Sequence, residues 1–384
     1  MKKLKTGIIG IGNMGSAHAK MIVAGDIDGM ELAAVADLDQ ARRQWAKEHL
    51  PESVQIYENA DQMMGQAGLQ AVIVAVPHYD HAPLSIAALK KNLHVMCEKP
   101  VAVTTKQARE MQEAADQSEA IFAVMFNQRT NPLYKKAKAI IDSGELGPMK
   151  RTSWIVTDWY RSQSYYDSGN WRATWAGEGG GVLLNQCPHN LDLWQWICGM
   201  PIRVTAFCQE GRWHDIEVED DVTAYVEYEN GASGTFITST GDTPGTNRLE
   251  VVCDGGKIVV EKDSLTLYKL EMPESVFSAT YKGGFGEPKH TVEKLDVSGE
   301  NPQHAGVLRA FTKAVLEGAS LTADGREGIR GLSLSNAMHL SSWLGKTIEL
   351  PVDEVLFEQE LANKVSQSKK KSGTGQTLSV EGTY

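Results

Sequence analysis

LKTGIIGIGNMG, Leu4 to Gly15, decides how this chain folds. Leu4 to Ile9 reads as a buried strand, and three glycines follow at once in the spacing G-x-G-x-x-G. Apolar residues at helical spacing from Ser16 to Val23 place those glycines in a strand-to-helix turn. A second short apolar strand, Glu31 to Ala36, ends on Asp37, about 20 residues beyond Gly15. Strand, glycines, helix, strand and terminal acid together describe a βαβ unit that binds a dinucleotide. Gly10 permits the tight turn, Gly12 lets main-chain amides approach a pyrophosphate, and Gly15 lets helix and strand pack closely. The helix N-terminus adds free N–H groups and the positive end of a dipole. Asp37 can accept from ribose hydroxyls and would repel a 2′-phosphate, which favours NAD over NADP. Arg42 and Arg43 nearby read as exposed faces of the next helix. Cofactor contacts are therefore expected at Gly10, Gly12, Asn13, Met14 and Gly15, and at Asp37 and Leu38.

Strand and helix keep alternating. A helix at Gln40 to His49 precedes a strand at Val54 to Tyr57 and a helix at Asn59 to Ala67. The continuous apolar strand Ala71 to Val76 runs into Pro77-His78, where a helix opens and continues to about Lys91. Val76, Pro77, His78 and His81 are expected beside the cofactor. A metal reading of His78 and His81, one turn apart, lacks a third ligand. Next comes VMCEKP, Val95 to Pro100: an apolar strand that ends on a carboxylate and an ammonium before proline stops it. Open α/β sheets bind ligands outside the carboxyl ends of their strands, which puts Glu98 and Lys99 at the site. A helix at Thr104 to Ser118 and a strand at Ile121 to Phe126 complete a doubly wound parallel sheet, assigned to residues 1–126.

From Asn127 the pattern changes. An amphipathic helix at Asn131 to Ser143 leads to six strands: Lys150 to Trp159, Arg203 to Gln209, Val222 to Tyr228, Gly234 to Ser239, Arg248 to Cys253 and Lys257 to Glu261. Turn-connected neighbours predict an α+β domain over residues 127–353, built on a large, mostly antiparallel open sheet. Its free face is the expected surface of a homodimer or homotetramer. Helices return at His304 to Leu316 and Gly328 to Trp343. Residues 354–384 read as a C-terminal helix and polar tail, with Ser366 to Tyr384 expected to be mobile.

A length of 384 residues suits two domains. The net charge of −11 argues against nucleic acid or an anionic membrane as partner, since both demand a basic footprint. Five scattered cysteines without a C-x-x-C pair suit a reducing compartment. Lys2, Lys3 and Lys5 ahead of an apolar run imitate a signal peptide, but glycines break the run, so a cytoplasmic location is expected.

The second informative stretch is Trp171 to Gly199, WRATWAGEGGGVLLNQCPHNLDLWQWICG. A helix begins at Pro188, and helical spacing would put His189 and Asp192 on one face, the carboxylate orienting the imidazole. The plainer alternative leaves His189 as an ordinary polar-face residue. Cys187, His189 and Asp192 lack further ligands at zinc spacing, so no metal is expected. Upstream, Trp159, Tyr160, Arg161, Tyr165, Tyr166, Trp171 and Arg172 form a run rich in aromatics and arginine, suited to stacking on sugar rings and binding hydroxyls or a carboxylate.

These motifs together resemble the Gfo/Idh/MocA family, named for glucose–fructose oxidoreductase and inositol dehydrogenase. The resemblance rests on GIGNMG, Pro77 with His81, Cys97-Glu98-Lys99-Pro100, Asn127-Gln128-Arg129, the SGELG turn, and the Gly179-Gly180-Gly181 run followed by His189. It implies that Lys99 lies at the nicotinamide and the reacting hydroxyl, and that His189 is the proton acceptor and donor. Asn185 stands where the family often has aspartate; its amide can orient a hydroxyl but cannot take a proton. Proton transfer then falls on Lys99 and His189, with Asp192, Arg172, Tyr166, Tyr160, Trp159 and Asn127 as supporting or substrate-binding residues. Glu98 is expected in backbone or ribose contacts. The implied activity is hydride transfer between NAD and a secondary hydroxyl of an inositol, pyranose or glycoside. An NAD-assisted glycosidase and a non-catalytic NAD or sugar sensor are the alternatives.

Overall fold

A computed structural model describes residues 3–369. Strands Leu4–Ile9 (β1), Met30–Ala36 (β2), Gln55–Tyr57 (β3), Ala71–Val74 (β4), His94–Cys97 (β5) and Phe122–Val124 (β6) alternate with five helices. These are Asn13–Ala24 (α1), Gln40–His49 (α2), Ala60–Gln66 (α3), His78–Lys90 (α4) and Thr105–Asp116 (α5). The strands pair in parallel in the order β3-β2-β1-β4-β5-β6. The order reverses between β1 and β4, which opens a crevice at their carboxyl ends. Ile8, Val35, Val72, Ile73, Val95 and Met96 are completely enclosed, because helices cover both faces of the sheet. Two of the boundaries that differ from expectation lie at the crevice. α1 begins at Asn13, so Asn13 and Met14 form its first turn, and β4 stops at Val74.

Beyond a short 3₁₀ turn, Asn127–Thr130, the chain forms α6 (Pro132–Asp142), β7 (Met149–Val156), α7 (Gln163–Asp167) and α8 (Pro188–Cys198). Strands Arg203–Glu210 (β8), Glu219–Glu227 (β9), Ser233–Ser239 (β10), Asn247–Cys253 (β11), Gly256–Glu261 (β12) and Ser264–Leu270 (β13) follow. The chain then forms α9 (Glu274–Thr280), β14 (His290–Leu295), α10 (Gln303–Glu317), α11 (Gly328–Leu344), β15 (Ile348–Glu349) and α12 (Glu354–Gln367). The second sheet has nine strands in the order β14-β13-β12-β11-β7-β10-β9-β8-β15, antiparallel except where β7 meets β10. Three of them add to the six strands expected from the sequence: β15 has only two residues, β14 is exposed along nearly its whole length, and β13 directly continues a hairpin.

One face of this sheet is apolar and covered. Trp154, Val156, Val222, Ala224, Val226 and Phe236 are buried there, beneath α8 and α11. The alternate residues Ile155, Phe207 and Tyr225 point outward and are exposed. Helix α10 returns to the first sheet, adding Val307, Leu308 and Phe311 to the core around β1 and α1. Asn336 of α11 accepts from the Thr105 amide at 3.0 Å and donates to the Val103 carbonyl at 3.1 Å, stitching the two halves together. Helix α12 runs through Gln367, so the tail reading from Ser366 begins inside a helix; residues 370–384 lie outside the described residues. All five cysteines are free thiols, and no described helix is long and apolar enough to cross a membrane.

Candidate functional site

The crevice begins at the glycine turn. Gly10 has φ +88°, and a Cβ there would lie 2.5 Å from the Ala75 carbonyl oxygen. A Cβ on Gly15 would lie 1.9 Å from the Gly10 oxygen, so only glycine lets α1 start this close to the turn. Gly12, by contrast, faces open space and caps α1 without a side chain, leaving the helix N-terminus uncovered toward the crevice. Asp37 accepts from the Ile11 amide at 2.7 Å and the Asp39 amide at 2.9 Å, which fixes the end of β2 against the turn. Arg43 donates from Nη1 to the carbonyls of Asp37 and Leu38, 2.8 Å each, so it braces this loop. Leu38 is 80% exposed, an apolar surface beside the turn. An open glycine cradle, an uncapped helix start and a terminal acid fit a dinucleotide. The buried, unpartnered Oδ1 of Asn127, at the end of the same sheet, adds a free acceptor.

At the next strand end, the ring nitrogens of His81 lie 2.6 Å from the Pro100 carbonyl and 2.8 Å from the Val76 carbonyl. A neutral ring donates to only one at a time. His78 donates from Nδ1 to the Glu178 carbonyl at 3.0 Å and meets the Trp171 ring edge-on. Burial lowers the pKa of both histidines. Glu98 is buried with its carboxylate 2.7 Å from His18 Nε2. Burial pushes the Glu98 carboxyl up, but the His18 bond and the neighbouring positive charges outweigh it and bring its pKa to about 2.

Lys99 reaches across to the second half of the chain. Its Nζ donates to the Asn185 main-chain carbonyl at 2.9 Å. Burial lowers its pKa, with Arg172 and Arg161 adding to the effect and Glu98 and Glu178 opposing it. His189 enters from the first turn of α8, its ring edge-on to Phe126 and its buried Nδ1 without a partner. Burial, then the Lys99 charge, holds its pKa well below the usual histidine value. The structure thus gathers Lys99, Asn185 and His189 at one place.

Two expected neighbours are elsewhere. Asp192 does not orient His189; it takes Arg129 in a bidentate pair at 2.7 and 2.8 Å and accepts from Gln195 at 3.0 Å. A buried guanidinium fork outcompetes a neutral ring for a carboxylate. Tyr166 turns away from the site: it is 2% exposed, its hydroxyl lies 2.7 Å from Thr240 and its ring packs on His214. Tyr165 takes the place expected of it. Its hydroxyl accepts from Arg172 at 2.8 Å and Gln186 at 3.2 Å. Adjacent residues of a helix point about 100° apart, so the choice between them was invisible to pattern reading. Trp159 donates to Asn190 at 3.0 Å, Tyr160 is half exposed, and Asn127 donates to Gln303 at 2.6 Å.

Sequence reading also missed Glu178. This buried carboxyl accepts from the Ala173 amide at 2.6 Å and from the Asn185 amide group. Burial raises its pKa against the opposing pull of Arg172. A carboxylate inside the Ala-Gly-Glu-Gly-Gly-Gly run was the available signal. Among the described residues no three His, Cys, Asp or Glu side chains converge as a metal-binding group.

A model of the oxidoreductase family with an NAD-binding Rossmann fold matches residues 4–126, and the Gfo/Idh/MocA C-terminal domain matches residues 134–259. Inositol 2-dehydrogenase of Salmonella typhimurium is 34% identical over 38% of this chain, a match spanning only 43% of that relative's length. The uncharacterized oxidoreductase YrbE of Bacillus subtilis is 24% identical over 85% of this chain and 99% of its own. Among solved structures, the WlbA dehydrogenase of Chromobacterium violaceum, in complex with NADH and UDP-GlcNAcA, superposes with a TM-score of 0.79 at 27% identity, covering 92% of this chain and 97% of that one. With both halves matched by its models, the chain belongs to the Gfo/Idh/MocA family, and its first sheet is an NAD-binding Rossmann fold.

Proposed function

We propose that this chain is an NAD-dependent dehydrogenase acting on a secondary hydroxyl of a cyclic polyol or sugar. The observation that carries the reading is that Lys99, tethered to Asn185 of the other half, acts through its charge on the His189 ring, with burial shifting both toward their neutral forms. NAD, held by the glycine turn and Asp37, would supply the acceptor for the hydride of the carbinol carbon. The residues must then deal with the hydroxyl proton. A neutral Lys99 amine polarises the O–H, and the neutral His189 ring takes the proton as general base. The tether to Asn185 holds the amine still, and the Asn185 side chain, pinned by Glu178, offers its oxygen to a substrate hydroxyl. Trp159 and Tyr160 offer ring faces to the C–H side of a pyranose.

In this reading residues 1–126 hold the cofactor and residues 127–353 hold the substrate. The outward Ile155, Phe207 and Tyr225 support self-association as a homodimer or homotetramer. The test is NADH formation across inositols, aldoses and methyl glycosides. Oxidation of at least one ring hydroxyl supports the reading; NAD-dependent glycoside cleavage without net NADH would replace it with transient oxidation.

A further inference from the structure

The run after β7 carries positive charge that proton transfer does not use. The guanidinium groups of Arg161 and Arg172 lie 5.1 and 4.7 Å from the centre of one ring, that of Tyr165. Arg172 donates to the Tyr165 hydroxyl and makes a long ion pair with the Glu178 carboxylate at 3.9 Å. Arg161 spends Nη1 on the Tyr160 carbonyl at 2.9 Å, and its Nε is buried with no partner. No ion pair joins Arg161 to a carboxylate among the described residues. We propose that the substrate oxidised here carries a carboxylate, seated on Arg161 and Arg172 beside Tyr165.

The proposal rests on the dehydrogenase reading and narrows its substrate class to acidic sugars. Arg161, Arg172 and Lys99 act on one another electrostatically, and two carboxyls oppose them, the ionised Glu98 and Glu178, the second of which burial pushes toward its neutral form. The guanidinium fork matches a carboxylate in two parallel hydrogen bonds. A neutral sugar would leave the Arg161 guanidinium without a counter-charge, and sites built around an unpaired charged donor discriminate strongly against ligands that cannot answer it. A phosphate offers the same oxyanion chemistry but carries nearly two charges, which the ionised Glu98 beside Lys99 would oppose more strongly.

The test uses the full chain with NAD and matched pairs: glucose with glucuronate, galactose with galacturonate, and glucose 6-phosphate as the phosphate arm. The expected result is kcat/KM for each acid above its neutral partner by about tenfold or more, with the preference shrinking as salt is added. R161Q should lower kcat/KM for the acid about tenfold more than for the neutral sugar. Equal use of acid and neutral partners, a preference for glucose 6-phosphate, or equal losses in R161Q would overturn the assignment. Calorimetric titration of the same compounds into wild-type protein with NADH separates the two readings. If no compound is oxidised but the uronates bind more tightly than their neutral partners, the carboxylate seat stands and the dehydrogenase reading fails. If neither is oxidised and neither binds preferentially, both fall.

Discussion

Lys99 Nζ is held by the main-chain carbonyl of Asn185 at 2.9 Å, so the second half of the chain sets where the ammonium of the first half sits. Replacing Lys99 with alanine should lower turnover by about a hundred- to ten-thousand-fold, the range for loss of a proton-transfer group. NAD affinity, measured by quenching of tryptophan fluorescence, should stay within about threefold, because the glycine turn is untouched. Near-normal turnover in this variant would remove Lys99 from the chemistry. In the wild type, burial lowers the Lys99 pKa, so oxidation should rise with pH and level off below the ordinary lysine value of about 10.4.

Arg129 and Asp192 form a pair 2% and 1% exposed, and removing one partner strands the other. Arg129→Ala should therefore cost about 3–5 kcal/mol in chemical denaturation. Turnover of the protein that remains folded should change only a few-fold, because Asp192 does not touch His189. A loss of activity as deep as that of a His189 variant, at unchanged stability, would reinstate an Asp192–His189 couple.

Gly12 and Gly15 should separate binding from folding. Gly12→Ala puts a methyl group into open space, so melting should be unchanged while NAD affinity falls about tenfold or more, the methyl blocking close approach to the pyrophosphate. Gly15→Ala puts its Cβ 1.9 Å from the Gly10 oxygen, so this variant should be destabilised or insoluble. Equal NAD binding by wild type and Gly12→Ala would place the phosphates elsewhere.

Acid should unfold this protein early. Burial holds His78, His81 and His189 below the usual histidine value, and brings His304 to about 4. Between those values and about 6.5 the unfolded chain binds protons that the folded one refuses, so stability rises with pH. The contribution is complete above about pH 6.5 and is lost as pH falls toward 4. Thermal melts should give a flat Tm above about pH 7 and a steady decline below about 6.5. A constant Tm down to about pH 5 would show that these rings are protonated at little cost in the native state.

The first sheet was legible because parallel strands buried on both faces read as continuous apolar runs, and a glycine turn ending at Asp37 has few other uses. Lys99 and His189 were legible as residue types at motif positions. What the pattern hid depended on long-range partners. Asp192 shares a helix with His189, yet Arg129, 63 residues earlier, claims it. Tyr165 and Tyr166 differ only in rotation about a five-residue helix. Glu178 gains its meaning from Asn185 and Arg172 folding over it. β14 carries no buried face for a pattern to mark, because it is exposed along nearly its whole length.

The tether on Lys99 ends on a peptide oxygen, which every amino acid possesses. Exchange of aspartate for asparagine at position 185 therefore leaves the ammonium anchored while changing what the side chain offers to a ligand. Evolution can retune this corner for a new hydroxyl pattern without having to rebuild the proton-handling centre. Divergence at position 185 should accordingly track the molecule being processed, while the lysine it holds stays where it is.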